Sequence, residues 1–163
     1  MHKHGIMHLD IKPENFLVKA DNTVKLGDFG HSVNFLKSRK RTRSKHTSEV
    51  SINDVDEGDC SYVAPELLDF QPKVSFKADI FSLGLTLTEA LTGNMMPKNG
   101  QLWLKIRTKK ITSIFDFPND KAIGKIINRM CTRKADQRCT LVDILSHPKL
   151  LKKFNFLHGL KNI

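Results

Sequence analysis

The sequence predicts a mainly α-helical domain of the α+β class, with one small β-hairpin near its start. Two patterns support this fold class: apolar residues alternate with a period of two between Phe16 and Leu26, and they recur at helical spacing after Ser75. The 163 residues, 39% of them hydrophobic, are enough for one packed domain. We therefore expect a single domain over residues 1–150 and a C-terminal tail over residues 151–163.

Two short strands form the predicted hairpin. Phe16 and Val18 mark the first strand, and Val24 and Leu26 mark the second. The dipeptide Asp21-Asn22 lies between them, and both residue types favour turns because their side chains bond to the nearby backbone. The sequence therefore predicts two strands joined by a turn at residues 21–22.

A basic segment follows the hairpin. Apolar residues become scarce between Leu36 and Asp59, and Lys or Arg dominates residues 37–45, which predicts a loop. Two interpretations stay open for this segment, a solvated loop or a signal for nuclear import or partner docking. The whole chain carries a net charge of +10, with 27 Lys and Arg against 17 Asp and Glu, which suits an acidic partner, a nucleic acid or a phosphorylated ligand.

Four helices are predicted in the second half of the chain. Apolar residues cover nearly every face from Ser75 to Gly93, which indicates a buried helix with glycine as its C-terminal cap. A second helix is expected within residues 99–109. A third has the amphipathic spacing of apolar residues at positions 123, 126, 127 and 130. The fourth begins at Thr140, where Asp143 completes a capping box, and it ends at His147-Pro148.

Cysteine usage and hydropathy argue against two protein classes. Cys60, Cys131 and Cys139 are odd in number and lack C-x-x-C spacing, unlike the disulfide framework of a small secreted domain. No stretch approaches the ~20 apolar residues of a membrane helix, and residues 1–5 lack the apolar core of a secretory signal. We therefore expect a soluble, intracellular protein.

Three short motifs occur in a fixed order. Residues 8–15 read His-Leu-Asp-Ile-Lys-Pro-Glu-Asn, residues 28–30 read Asp-Phe-Gly, and residues 64–66 read Ala-Pro-Glu. In order and separation they resemble the catalytic loop, the magnesium loop and the A-P-E motif of protein kinases. The resemblance implies a kinase C-terminal lobe with an activation segment over residues 28–66.

The residue types in these motifs suit phosphoryl transfer, which needs positioning and charge neutralisation. Asp10 can orient an incoming hydroxyl and accept its proton, and Lys12 can place a cation against the transferring phosphoryl group. Asn15 and Asp28 supply oxygen ligands for Mg²⁺, a hard cation. We therefore predict Asp10 and Lys12 as catalytic, Asn15 and Asp28 as magnesium ligands, and Lys12, Asn15 and Asp28 as the residues that hold the phosphates of ATP.

The kinase resemblance also implies a set of supporting residues. His8 and Gly30 brace the catalytic and magnesium loops. Asp79, in the predicted buried helix, is expected to accept backbone N–H groups of the catalytic loop, since a buried charge needs donors. Glu66 and Arg138 are expected to form a buried ion pair between the activation segment and the lower helices.

Finer details resemble the Wee family of mitosis-inhibitor kinases, with its Wee, Myt and Swe branches. The similarity runs from about Gly5 to about Leu150. It rests on Leu9, on His31, on residues 57–62 before the A-P-E motif, on residues 77–83 with Phe81 in place of the commoner Trp, and on residues 97–100 followed by Trp103, Ile106 and Arg107.

Membership of that family implies inhibitory phosphorylation of a cyclin-dependent kinase on a tyrosine. Lys12 is typical of serine/threonine kinases, so the tyrosine assignment rests on the resemblance. The implied cofactors are ATP and Mg²⁺, and the implied partner is a cyclin-bound cyclin-dependent kinase. We expect no nucleic-acid partner and no membrane partner, and a location in the nucleus, with the cytoplasm left open.

Parts of a complete kinase are not found among these residues. The glycine-rich loop, the strand lysine and its helical Glu partner belong to an N-terminal lobe that would precede Met1. Two hypotheses follow: a piece of an active Wee-like kinase, or a catalytically inactive C-terminal lobe that acts as a binding module or has no function. In either case we expect the chain by itself to lack kinase activity.

Leu9 bears on regulation. In kinases that loop phosphorylation activates, an Arg precedes the catalytic Asp and pairs with the phosphate. Leucine carries no charge and no donor, so a phosphate in the activation segment would have no partner there. We therefore expect control by abundance or by modification elsewhere.

Overall fold

The computed structural model describes residues 1–35, 60–72, 74–117 and 121–148. The basic segment at residues 37–45 and the tail at 151–163 lie outside the described residues. Within the described part the chain is mainly helical, with small antiparallel sheets near its start. This is the α+β composition that the sequence predicted.

The described strands form two separate antiparallel pairs. Strand β1 (Ile6–Met7) and strand β2 (Phe16–Val18) flank the catalytic loop, and they are followed by β3 (Val24–Leu26) and β4 (Val33–Asn34). β2 pairs with β3, which confirms the predicted hairpin, and β1 pairs with β4, which the sequence did not predict. The two pairs hold the residues from 6 to 34 around the predicted catalytic loop.

The hairpin turn follows from its two polar residues. The Asp21 carboxylate accepts a hydrogen bond from the Thr23 N–H at 2.9 Å, and Asn22 adopts a left-handed backbone with φ of 61°. Asparagine tolerates this conformation better than most residues, because its short polar side chain bonds locally. The turn at residues 21–22 is therefore encoded locally, as expected.

The described helices are α1 (Phe76–Thr92), α2 (Gly100–Thr108), α3 (Lys121–Met130) and α4 (Leu141–Leu145), and each matches a predicted helix. Helix α1 begins where the Ser75 side chain accepts the Lys77 N–H, and it ends at Gly93 with φ of 71°. The capping box predicted at Thr140 and Asp143 is present at the start of α4. No helix among the described residues is long and apolar enough to cross a membrane.

Helix α1 lies at the centre of the core, as its apolar residues predicted. Its Phe81 and Leu85 belong to a buried cluster that includes Ile106 of α2 and Ile127 of α3. A second buried cluster contains Ile80, Ile126, Met130, Cys139 and Ile144. Because α1 contacts both clusters, its buried polar groups are held in fixed positions, and Asp79 is one of them.

Candidate active site

Asp10 is the centre of the candidate site. Its Oδ2 lies 2.9 Å from Nζ of Lys12, and the Asn15 Nδ2 donates to the Asp10 carbonyl at 2.7 Å and to Oδ2 at 3.0 Å. His31 approaches the same carboxylate, with Nδ1 3.9 Å from Oδ2. The structure thus brings three predicted residues into contact and adds His31, to which sequence reasoning gave no chemical role.

The orientation of Asn15 suits a cation ligand. Its amide N–H groups point to Asp10, and among the described residues no hydrogen bond ends on its Oδ1. Asp28 is exposed, and its Oδ1 accepts the Gly30 N–H at 3.2 Å, while no described donor reaches its Oδ2. Within the described part of the chain, one amide oxygen and one carboxylate oxygen therefore accept no hydrogen bond, and both are ligand types that Mg²⁺ prefers.

Gly27 links the predicted catalytic loop to the predicted magnesium loop. The Gly27 N–H donates to the Asn15 carbonyl at 2.8 Å, and the Gly27 carbonyl bonds to Nε2 of His8 at 2.9 Å. Nδ1 of His8 accepts the Asp10 N–H at 3.4 Å, so His8 carries its proton on Nε2. These bonds fix the start of the D-F-G motif, and therefore Asp28, relative to Asp10.

Asp79 anchors the catalytic loop from below. Its side chain is 1% exposed, and its two oxygens accept the Leu9 N–H at 2.8 Å and the His8 N–H at 2.9 Å. Leu9 has a φ of 64°, a conformation that costs a non-glycine residue about 1–2 kcal/mol. The predicted contact is present, and His2 adds a bond from Nε2 to Asp79 at 2.7 Å that was not predicted.

Glu66 and Arg138 form the ion pair that the sequence predicted. Nη1 of Arg138 lies 2.7 Å from Oε1 of Glu66, and Nη2 lies 2.9 Å from Oε2. The Arg138 side chain is fully buried, and that of Glu66 is 11% exposed. The same guanidinium also donates to the carbonyls of Thr132, Arg133 and Lys77. The pair joins the predicted activation segment to the residues before α4, and the bond from Arg138 to the Lys77 carbonyl also connects it to the start of α1.

Arg107 of helix α2 is a buried cation that the sequence marked only as part of the family resemblance, with no structural role. Its Nη2 donates to the carbonyls of Cys60 at 2.7 Å, Ser61 at 3.0 Å and Val63 at 3.0 Å. Its guanidinium carbon lies 3.9 Å from the centre of the Trp103 ring. Burial lowers the pKa of Arg107 from 12.5 to about 10, against a smaller opposing effect of Cys60, so the side chain stays charged at pH 7.

Tyr62 makes a second contact that the sequence did not reveal. Its hydroxyl donates to Oε2 of Glu89 at 2.7 Å, and the same oxygen accepts the Met96 N–H at 2.9 Å. For the contact between Trp103 and Arg107, the sequence offered one signal. The two residues have i, i+4 spacing on a predicted helix, which places both side chains on one face.

Comparison with known proteins agrees with this geometry. Residues 1–150 match the family model described as "Protein kinase domain". The membrane-associated tyrosine- and threonine-specific cdc2-inhibitory kinase wee-1.3 of Caenorhabditis elegans is 37% identical over 153 residues, which cover 94% of this chain and 21% of that protein. The Wee1-like protein kinase of Drosophila melanogaster is 34% identical over 92% of this chain and 27% of its own length. A probable protein kinase of Dictyostelium discoideum is 39% identical over 92% and 38%, respectively.

The family match and the geometry around Asp10 define one class of protein, and the chain belongs to the protein kinase family. Within that family it groups with the Wee kinases, which confirms the resemblance predicted from the motifs. The chain spans between 21% and 38% of the length of the relatives described above.

Proposed function

We propose that the chain is the C-terminal lobe of a longer Wee-family kinase that transfers the γ-phosphate of ATP to a protein hydroxyl. The observation that carries this proposal is the contact of Asp10 with both Lys12 and Asn15. A carboxylate held by a cation and an amide cannot rotate freely, so it presents a fixed oxygen to an incoming hydroxyl.

Each residue of the site then has a defined task. Asp10 orients the substrate hydroxyl and accepts its proton, and Lys12 places a positive charge where the transferring phosphoryl group passes. Mg²⁺, when bound with ATP, neutralises phosphate charge. Asn15 would hold it through Oδ1, and Asp28 through the oxygen that Gly30 does not occupy.

Apolar side chains are exposed on both faces of the hairpin, Val18 and Val24 on one face and Leu17 on the other, and this supports the proposal that this lobe is covered in the whole protein. Leu17, Val18 and Val24 are 61%, 67% and 56% exposed, and Phe29 of the D-F-G motif is 50% exposed. An apolar group of this kind beside a catalytic loop indicates a surface that another part of the protein or a ligand covers. We propose that ATP and the N-terminal lobe cover it.

The substrate is a proposal that rests on the relatives, whereas the location rests on the sequence, in which the basic segment at residues 37–45 has a nuclear-import signal as one of its two interpretations. One relative is named a cdc2-inhibitory kinase, so we propose a cyclin-dependent kinase as the substrate and a tyrosine as its acceptor. We also propose a nuclear location. The same relative is named membrane-associated, so fractionation of cells into nuclear, soluble and membrane fractions is the test. Recovery of the protein only with membranes would overturn the nuclear assignment.

The kinase proposal is tested with the full-length protein and radiolabelled ATP. The acceptor is a catalytically inactive cyclin-dependent kinase bound to its cyclin, and mass spectrometry identifies the modified residue. Asp10→Asn should lower kcat by about 10²–10⁴-fold, the usual contribution of a general base. The exposed neighbour Glu14, changed to Gln, is the matched control. A full-length protein that binds the acceptor without transferring phosphate would favour the non-catalytic binding module.

A further inference from the structure

A small cavity beside Asp10 has one wall that the proposed chemistry does not explain. Leu9, Asp10 and Ile11 line this small cavity together with Tyr62 and Val63. The cavity has room for about one water and not for a side chain, so what it shows is that Tyr62 and Val63 lie beside the loop that carries Asp10. The position of residues 60–63 therefore bears on how a substrate approaches the catalytic carboxylate.

Residues 60–63 are held by side chains and not by pairing in a helix or sheet. Nη2 of Arg107 donates hydrogen bonds to the carbonyls of Cys60, Ser61 and Val63. Nε1 of Trp103 donates to the Cys60 carbonyl at 3.0 Å. The remaining carbonyl, that of Tyr62, accepts the hydroxyl of Ser82 from α1 at 2.8 Å. We call Trp103 and Arg107 the α2 clamp.

If packing were its only role, the burial of a charged arginine at position 107 would be unfavourable in free energy. Arg107 is 4% exposed, its hydrogen bonds among the described residues all end on backbone carbonyls, and its buried Nε–H has no described partner. An unsatisfied buried donor costs about 1–3 kcal/mol, and this cost is offset here by the bonds that the same side chain makes to the carbonyls of residues 60–63. The planar guanidinium also donates from Nη1 to the Trp103 carbonyl at 3.3 Å, so the N–H groups of Nη2 that reach residues 60–63 keep one direction, which a flexible lysine ammonium does not provide.

We propose that the α2 clamp sets the wall formed by Tyr62 and Val63, and that Arg107 is a positioning residue for the protein substrate and not for ATP. The inference rests on the proposed kinase function and deepens it. Arg107 contacts neither Asp10 nor the proposed magnesium ligands, so it acts through the backbone of residues 60–63.

The test measures KM for the two substrates separately, in the full-length protein with the cyclin-bound acceptor described above. Arg107→Lys keeps the positive charge and removes the planar guanidinium. It should raise KM for the protein acceptor about tenfold, equivalent to about 1.4 kcal/mol, and leave KM for ATP unchanged. Lys105→Arg exchanges one cation for another on the exposed part of the same helix and should change neither constant.

Hydrogen exchange provides a second measurement on the same variants. Amides of residues 60–64 should exchange faster in Arg107→Lys than in the parent and in Lys105→Arg. Trp103→Phe removes one donor and keeps an aromatic ring, so it should shift both measurements in the same direction and serves if Arg107→Lys does not fold.

Three outcomes separate the possible failures. Equal rises in both KM values, or unchanged exchange of residues 60–64, would overturn the positioning role while the kinase function stands. A fall in kcat with KM for the acceptor unchanged would also overturn it. A parent protein that transfers no phosphate overturns the proposed function, and the inference falls with it.

Discussion

Loss of the Glu66 carboxylate should destabilise the protein strongly, because it leaves a cation buried. Glu66→Ala removes the partners of two Arg138 hydrogen bonds, at 2.7 Å and 2.9 Å, while the Arg138 side chain stays fully buried. Breaking a buried ion pair by removing one partner costs roughly 3–5 kcal/mol. Arg138 keeps its bonds to the carbonyls of Thr132, Arg133 and Lys77, so we expect the lower end, about 3 kcal/mol.

The assay is thermal and urea unfolding of the parent and the variant. A loss of about 3 kcal/mol corresponds to a drop in Tm of roughly 6–12 °C for a domain of this size. The control is Asp69→Ala, which removes an exposed carboxylate three residues away and should change Tm little. The double variant Glu66→Leu with Arg138→Met should recover much of the loss, because no unpaired charge then remains buried. A Glu66→Ala variant that melts within about a degree of the parent would refute this reasoning.

Three further outcomes are expected. Residues 1–163 alone should transfer no more radiolabelled phosphate than their Asp10→Ala variant. The reason is that the glycine-rich loop and the strand lysine, which hold the phosphates of ATP in a kinase, are not among these residues. In the full-length protein, four hydroxyl residues of the activation segment can be changed together to Ala. We expect kcat/KM to fall less than about tenfold, because Leu9 offers no partner to a phosphate. A larger fall would contradict this expectation. The residues changed are Ser44, Thr47, Ser48 and Ser51. One thiol per folded molecule, that of exposed Cys60, should react rapidly with a disulfide reagent at pH 8, and a second fast thiol would be unexpected. Burial raises the pKa of Cys131 to about 12 and raises that of Cys139, so both remain protonated thiols.

Local features were predictable from the sequence, because a few adjacent residues determine them. The capping box of Thr140 and Asp143 and the turn at residues 21–22 needed only the residues that form them. The β1–β4 pair could not be predicted, since two strands of two residues carry no periodic signal. Its existence depends on how the chain folds back after the D-F-G motif.

The contacts of the candidate site were also predictable only in part. Asp10, Lys12 and Asn15 lie within a short motif, and their contacts follow from it. The role of Arg107 could not be inferred, because its partners are backbone carbonyls, which every residue has and no sequence pattern marks. Glu66 and Arg138 were predictable only because the kinase resemblance pairs them across the chain.

The catalytic loop and the buried helix α1 cannot open independently. The N–H groups of His8 and Leu9 donate to the carboxylate of Asp79. If the loop moved away, this buried carboxylate would lose two hydrogen bonds. Loop and helix therefore belong to one cooperative unit, and those two amides should exchange hydrogen about as slowly as the centre of α1. Among the described residues, no buried carboxylate accepts the amides of the β2–β3 hairpin, where Leu17, Val18 and Val24 are exposed. Substitutions that loosen α1 will thus reduce the fraction of molecules with a competent loop before the protein visibly melts.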